Sequence, residues 1–366
     1  MKALTVGGAM IDTIAIIQSD RIERMSMRNA DLSFLLLEEG RKTEAQEIST
    51  HCGGGAINAA VAMSRLGLDV AVLAKLGQDA RAETIMARLM SEGISTRWLG
   101  RDARAPTGAS VLLSSHDRNA TVFTFRGANT LLEPQDLRDE AFEVDLVYIA
   151  NLSNNSADRF PALVERAKRN KALVATNPGV RQLSARGRVF LDCLSSIDVL
   201  AINRSEADVL VPSLIGDFGE GGPTLTSYDG EDLPPLAVRG LMGGGFEMGL
   251  VAFFKALTGL GPKHVLLTDG ANGAFVATDG EILYCPAQKV SNVAGTAGAG
   301  DAFTATFAGY LALGRQSSEA LRAATLNAAS VVGYVDTQTG LLTRENIDKS
   351  LVHEPGRPAV LRWPAS

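Results

Sequence analysis

The sequence predicts an α/β fold: a mainly parallel central sheet with a small, separate β-sheet beside it. Three observations carry this. Short β-prone runs alternate with helical patterns along the chain. The runs are apolar throughout, as strands covered by helices on both faces must be. A pair of alternating segments around a polar turn then interrupts the order, which a parallel core cannot absorb.

The first run, Ala3–Val6, reads as a buried strand entering a tight turn at Gly7–Gly8. Leu146–Leu152, Ala172–Thr176, Val199–Asn203 and Val265–Thr268 are compact apolar runs suited to further buried strands. Ala56–Leu66 reads as a helix ended by Gly67. In Ala80–Glu92, Ile85, Met86, Leu89 and Met90 form one apolar stripe before Gly93 stops the helix. Ala109–Ser114 and Ala120–Arg126, joined by the polar turn His116–Asn119, read as a hairpin, with Ser33–Leu37 and Gln46–Thr50 as further strands of the same small sheet. That sheet is expected as a lid beside the core. Pro212–Glu247, rich in glycine, proline and acids, is expected as a surface excursion, either a mobile insertion or a segment that covers a ligand or joins subunits.

With 46% hydrophobic and 21% charged residues over 366 positions, the chain can bury a substantial core. A net charge of −6 with no basic block argues against nucleic acid as a partner. No run of about eighteen apolar residues is present, so a membrane span is not expected. The start, MKALTVGGAMID, reaches two glycines and an aspartate too soon for a signal peptide. Cys52, Cys193 and Cys285 are widely separated, with no CxxC pair, which favours buried thiols in a reducing, cytoplasmic setting over disulfides or zinc.

The most informative stretch is Asn292–Gly314, a glycine-rich loop leading into a helix whose Phe303, Phe307, Tyr310 and Leu311 share an apolar face. Free N–H groups at that helix start, near Gly298–Asp301, suit phosphate oxygens. Gly295 and Gly300 have P-loop spacing, but Asp301 and Ala302 stand where a P-loop needs Lys and Ser or Thr. Asp301 would repel phosphate unless it removes a proton from an attacking hydroxyl; the other reading is a simple helix cap. The earlier cluster Gly53–Gly55 also leads into a helix, and Asn58, with Asp12 beyond Gly7–Gly8, offers hydrogen bonds to a polyhydroxylated substrate. No dinucleotide fingerprint is present, since Asn58 stands where the third glycine belongs, so a nicotinamide enzyme is a poor reading.

Two blocks, GGGAINAAVAMSRLG (Gly53–Gly67) and AGTAGAGDAFTATFAGYLALG (Ala294–Gly314), resemble the signatures of the ribokinase-like, or PfkB, family of carbohydrate kinases. PTGAS at Pro106–Ser110, FRGAN at Phe125–Asn129, INRSE at Ile202–Glu206 and TDGANGA at Thr268–Ala274 agree with it. The resemblance spans about residues 3 to 345 and implies one kinase domain over 1–366. This would be a three-layer α/β sandwich with lid strands from about 13–17, 33–50 and 108–127, and an insertion at about 212–247. It implies ATP as phosphoryl donor with magnesium, Asp301 as catalytic base, and Gly298, Ala299 and Gly300 as the anion hole. It also implies Asp12, Gly54 and Asn58 as substrate contacts, Asn203, Thr268, Gly270, Gly273 and Asn327 on the ATP side, and Glu206 at magnesium through water. Asn177 would approach the donor phosphates. Read without the resemblance, Asn203 and Glu206 mark a helix start. Gly295 stands where many members carry a carboxylate for a monovalent cation, so potassium activation is not expected. Gly55 replaces the lysine of ribokinases proper, which argues against ribose. The expected activity is phosphorylation of a hydroxyl, most readily a primary CH2OH, on a sugar, sugar acid or nucleoside. Arg126 and Asn129 are candidates for selecting among these. A silent sugar- or nucleoside-binding sensor on the same scaffold is the alternative. The lid's exposed edge predicts a homodimer across a two-fold axis.

Overall fold

In the computed structural model, residues 1–17, 23–26, 33–36, 40, 42–115, 120–226, 233–353 and 359–365 are described. The first strands are β1 (Lys2–Val6), β2 (Met10–Ile17), β3 (Glu23–Ser26), β4 (Ser33–Leu36), β5 (Glu47–Gly53), β6 (Asp69–Gly77), β7 (Leu99–Asp102), β8 (Gly108–Ser115) and β9 (Ala120–Phe125). They are followed by β10 (Leu146–Ile149), β11 (Leu173–Thr176), β12 (Val199–Asn203), β13 (Leu241–Gly243), β14 (Phe246–Met248), β15 (His264–Thr268), β16 (Ala274–Ala277), β17 (Glu281–Cys285) and β18 (Leu361–Pro364). The helices are α1 (Gly55–Arg65), α2 (Ala80–Ser91), α3 (Phe160–Arg169), α4 (Val180–Asp192), α5 (Arg204–Phe218), α6 (Pro235–Arg239), α7 (Leu250–Gly259), α8 (Ala299–Ala312), α9 (Ser317–Val332) and α10 (Arg344–His353).

Alternation along the strands sends residues into two separate cores. Ala3 and Tyr148 face the layer that holds Ile57 and Met63 of α1, Leu89 of α2, and Phe303 and Phe307 of α8. Leu4, Val6, Val147 and Ile149 face the layer with Phe160 of α3, Leu210 and Leu214 of α5, and Phe253 and Phe254 of α7. Strands buried on both sides explain why these runs read as continuously apolar. Between the layers lies a ten-stranded sheet, ordered β18-β17-β16-β15-β12-β11-β10-β1-β6-β7. Pairing is parallel from β7 to β15 and antiparallel from β15 to β18. After β1 the chain winds outward to β6 on one side, then to β10 on the other. That reversal opens a crevice at the carboxyl ends of β1 and β10, where open α/β sheets bind ligands.

The small sheet runs β5-β2-β8-β9. Hydrogen bonds on both edges of β2 are taken, by β5 and β8. The expectation that Ser33–Leu37 joins this sheet is corrected: β4 pairs with its near neighbour β3 in a two-stranded sheet of its own, a short closure with little entropic cost. The turn at 116–119 lies outside the described residues.

The excursion expected from Pro212 begins later, because α5 continues through Pro212 to Phe218. Proline has no N–H for the Asp208 carbonyl, and β13 packs on that spot. A Cβ on Gly243 would fall 1.7 Å from Asp208 O, and Met242 N donates to Asp208 Oδ1 at 3.1 Å. The hairpin β13–β14 thus lies against α5, with Gly249 N donating to Gly221 O at 2.7 Å.

Candidate active site

The predicted strand Leu146–Leu152 ends at Ile149, and the following residues turn into the crevice. Position 55 lies between two of its walls. A Cβ there would sit 2.8 Å from Ala150 Cβ and 3.3 Å from Asp301 Oδ1, so glycine keeps space open beside that carboxylate. Asp301 occupies the first turn of α8. Its Oδ2 accepts a hydrogen bond from Asn58 Nδ2 of α1 at 2.8 Å, joining the two glycine-led helices that the sequence singled out.

Behind Asn58 is a support that sequence reasoning missed. Asn58 Oδ1 accepts from Thr337 Oγ1 at 2.8 Å and Gln338 Nε2 at 3.2 Å. Gln338 Nε2 also donates to Cys52 O (2.9 Å), and Arg88 Nε donates to Gln338 Oε1 (3.0 Å). Every lone pair on the Asn58 amide oxygen is thereby occupied, which turns its NH2 towards Asp301. The segment Asp336–Gly340 reads as an ordinary polar turn, so no local signal marks this role.

Asp12 on β2 accepts from Ser110 Oγ on the neighbouring β8. A Cβ on Gly53 would fall 1.9 Å from Asp12 Oδ2, so only glycine leaves this carboxylate in place. Gly54 is the N-cap of α1. Burial is the main cause that raises both carboxyls above the ordinary aspartate range. The Asn58 hydrogen bond opposes the rise at Asp301 and the charge of Asp12 adds to it.

α8 opens at Gly298, whose φ of 80° is the left-handed region that glycine adopts without strain. No side chain caps this end. Among the described residues the amides of Gly298 and Gly300 have no acceptor, and that of Ala299 makes only a 3.4 Å bond to Thr296 O. Unsatisfied amides at a helix start form an anion site, ready for oxygens of a phosphoryl group.

The remaining expected residues mostly gather at neighbouring strand ends. Asn203 and Thr268 are register partners at the ends of β12 and β15. Asn203 Oδ1 accepts from Glu206 N (3.0 Å), and Glu206 Oε2 accepts from Asn203 N (2.9 Å), a reciprocal cap of α5. Gly270 and Gly273 bracket the short turn after β15, closed by Asp269 N donating to Gly273 O at 2.9 Å. Asn177 Nδ2 donates to Ala201 O at 2.9 Å at the end of β11. Asn327 does not join them. It is fully buried, with Nδ2 donating to Thr306 Oγ1 (2.7 Å) and Oδ1 accepting from Leu342 N (2.8 Å). There it braces α8, α9 and the segment before α10.

Glu206 is only 7% exposed, and burial lifts its carboxyl to about 7. The bonds with Asn203 oppose the rise and the charge of Asp301 adds to it. Its Oε1 accepts no hydrogen bond among the described residues, which suits a water of a magnesium shell, since that ion is held by few carboxylates together with phosphates. Gly295, by contrast, offers no carboxylate for a monovalent cation. A raised folded-state value means that the fold binds this proton more tightly than the unfolded chain does. The stabilisation is complete below the unfolded value near 4.5 and fades as pH climbs towards 7. Glu206→Gln keeps the cap but stays neutral, so it should gain on the natural protein between pH 5 and pH 8 by on the order of 2 kcal/mol. Urea unfolding at both pH values measures this, and a constant offset between the two proteins contradicts it.

A three-layer α/β sandwich with a lid, and a carboxylate at an uncapped glycine-rich helix start, is the architecture of small-molecule kinases. The chain belongs to the pfkB family of carbohydrate kinases, whose family model matches residues 23–344. It is 24% identical over 339 residues to a deoxyribokinase of Salmonella typhimurium, covering 92% of this chain and 98% of that one. A fructokinase of Klebsiella pneumoniae is 28% identical over 314 residues, covering 82% and 92% respectively. In fold it matches a ribokinase of Thermotoga maritima with a TM-score of 0.71 at 21% identity, over 96% of this chain and 99% of that one. Arabidopsis thaliana ribokinase complexed with ribose and ATP matches with a TM-score of 0.69 at 20% identity, over 96% and 99%. Among the described residues no helix is long and apolar enough to cross a membrane.

Proposed function

We propose that this protein transfers the terminal phosphoryl group of ATP to a hydroxyl of a small sugar, sugar acid or nucleoside, with a primary CH2OH as the favoured acceptor. One observation carries the reading: Asp301, held by Asn58, stands in the first turn of a helix whose leading amides are unsatisfied. A base and an anion site therefore lie within one turn of chain. Asp12 binds acceptor hydroxyls, and Asp301 takes the proton of the hydroxyl that attacks. The oxygen–phosphorus bond to the acceptor forms as the bond to ADP breaks, and the Gly298–Gly300 amides receive charge on the moving oxygens. Magnesium, bound with ATP, would neutralise the donor phosphates, with Glu206 facing its water shell. Asn203, Thr268, Gly270 and Gly273 form the nucleotide side. Closure of the lid over the acceptor excludes water and limits ATP hydrolysis. The whole chain acts as one kinase unit, with the β13–β14 hairpin packed on α5.

Magnesium-dependent ADP formation across a panel of sugars, sugar acids and nucleosides tests this. An acceptor-dependent signal, lost in Asp301→Ala, is expected. Saturable binding of an acceptor without ADP formation would favour the silent sensor.

The lid also supports the homodimer. β9 is an edge strand, with Val122 52%, Phe123 57% and Phe125 52% exposed, and such edges invite pairing with another chain. Sedimentation at micromolar protein should show a dimer, and a monomer alone contradicts it.

A further inference from the structure

One cationic cluster near the crevice has no part in the transfer step. Arg126 directly follows β9, in step with Thr124, which pairs with Ser110, the partner of Asp12. It therefore stands at the end of the lid strand that runs beside Ser110. Its side chain is partly buried, and Nη1 donates to Ser153 Oγ at 2.9 Å. Ser153 is itself buried and lies three residues beyond Ala150, the wall of the space beside Asp301.

A second guanidinium belongs to the same place. Arg181 sits in the first turn of α4, whose cap Gly179 packs so closely on Asn151 that a Cβ would fall 2.4 Å from Asn151 Nδ2. Gln182 Oε1 accepts from Leu152 N at 3.1 Å, tying this helix start to the 151–153 loop that Arg126 reaches. Burial, and then the charge of Arg181, push Arg126 below the ordinary arginine range. Among the described residues neither guanidinium has a carboxylate partner. α4 has no side-chain cap and no acidic residue in its first turn.

Two like charges drawn together beside an uncapped helix start, one of them partly desolvated, are costly unless an anion joins them. A neutral serine hydroxyl cannot supply that charge. We propose that Arg126, with Arg181 and the leading amides of α4, binds an oxyanion on the acceptor, so that the preferred substrate is a polyol carrying a carboxylate or phosphate. This rests on the kinase reading and narrows it, turning the choice away from neutral sugars and nucleosides. Planar guanidinium groups match either oxyanion in two-point contact.

The test uses calorimetric binding, without ATP, of matched pairs: D-gluconate against D-glucose, and fructose 6-phosphate against fructose. The two pairs separate a carboxylate preference from a phosphate preference. The anionic member of at least one pair should bind about tenfold or more tightly than its neutral counterpart, as charge-assisted contacts allow. Arg126→Gln should remove that preference while moving neutral binding by less than about twofold. Arg181 is exposed, so Arg181→Gln spares the fold and should weaken the preference severalfold. Any other pattern overturns the proposal, including equal binding within both pairs or a charge preference that survives in both variants. ADP formation with the same compounds keeps the two readings apart. Charge-selective binding without turnover counts against the kinase alone, whereas turnover of neutral acceptors only counts against the oxyanion site alone.

Discussion

Asp301→Asn should lower kcat by about 10²–10⁴-fold, the range a positioned general base contributes, with little change in the KM for either substrate. The substitution keeps size and shape, and the amide can still meet Asn58 through its oxygen. What it loses is basicity at the one side chain that lies both beside Gly55 and in the first turn of α8. The raised carboxyl matters here, because burial makes Asp301 a better proton acceptor than a solvated aspartate. If Asp301 were only a helix cap, Asn would replace it with almost no effect, since both residues cap well. Near-full activity in this variant would remove Asp301 from the chemistry.

The second large effect is expected at Gly298. An alanine there must adopt a φ of 80°, and its Cβ would meet Thr337 Cβ at 2.6 Å and Thr337 Cα at 3.0 Å. Neither contact is the loose end of a flexible chain, so the helix start or the Thr337 segment has to shift. Left-handed backbone alone costs roughly 1 kcal/mol for alanine. The displaced segment is the one that holds Asn58, so damage passes to Asp301 as well as to the amides. Loss of anion-site geometry is worth about 10²–10³-fold in kcat. Gly298→Ala should therefore lose activity far beyond its loss of thermal stability. A variant whose activity falls only as far as its folded fraction would show that the loop is structural. Gly216 in α5 is the control, because nothing lies within 4 Å of a Cβ placed there and it has no part in the site.

What the sequence disclosed, and what it hid, follows from how local each feature is. The glycine-led helix starts at Gly53–Gly55 and Gly298–Gly300 were legible, because small residues before an apolar helical stripe leave a local mark. The apolar runs gave the central strands for the same reason. The Asn58–Asp301 bond spans 243 positions, and the brace from Gln338 to Asn58 spans 280, so neither leaves a trace in spacing. The burial of Asn327 and its two internal partners on α8 and before α10 were also hidden, since both lie far off in the chain. Pro212 reads on local grounds as the start of a surface excursion, yet α5 runs through it. Only the packing of Gly243 on the Asp208 carbonyl shows why the helix tolerates it. The pairing of β4 with β3 rather than with the lid was equally hidden, since alternation reports that a strand exists but not its partner.

The most direct test of the central claim is to follow ATP, ADP and acceptor together by mass spectrometry, using the best acceptor of the panel, with the natural protein and Asp301→Asn side by side. One phosphate should appear on the acceptor for each ADP released, at a rate that collapses in the variant. ADP released without phosphorylated acceptor, or equal transfer by both proteins, would contradict it.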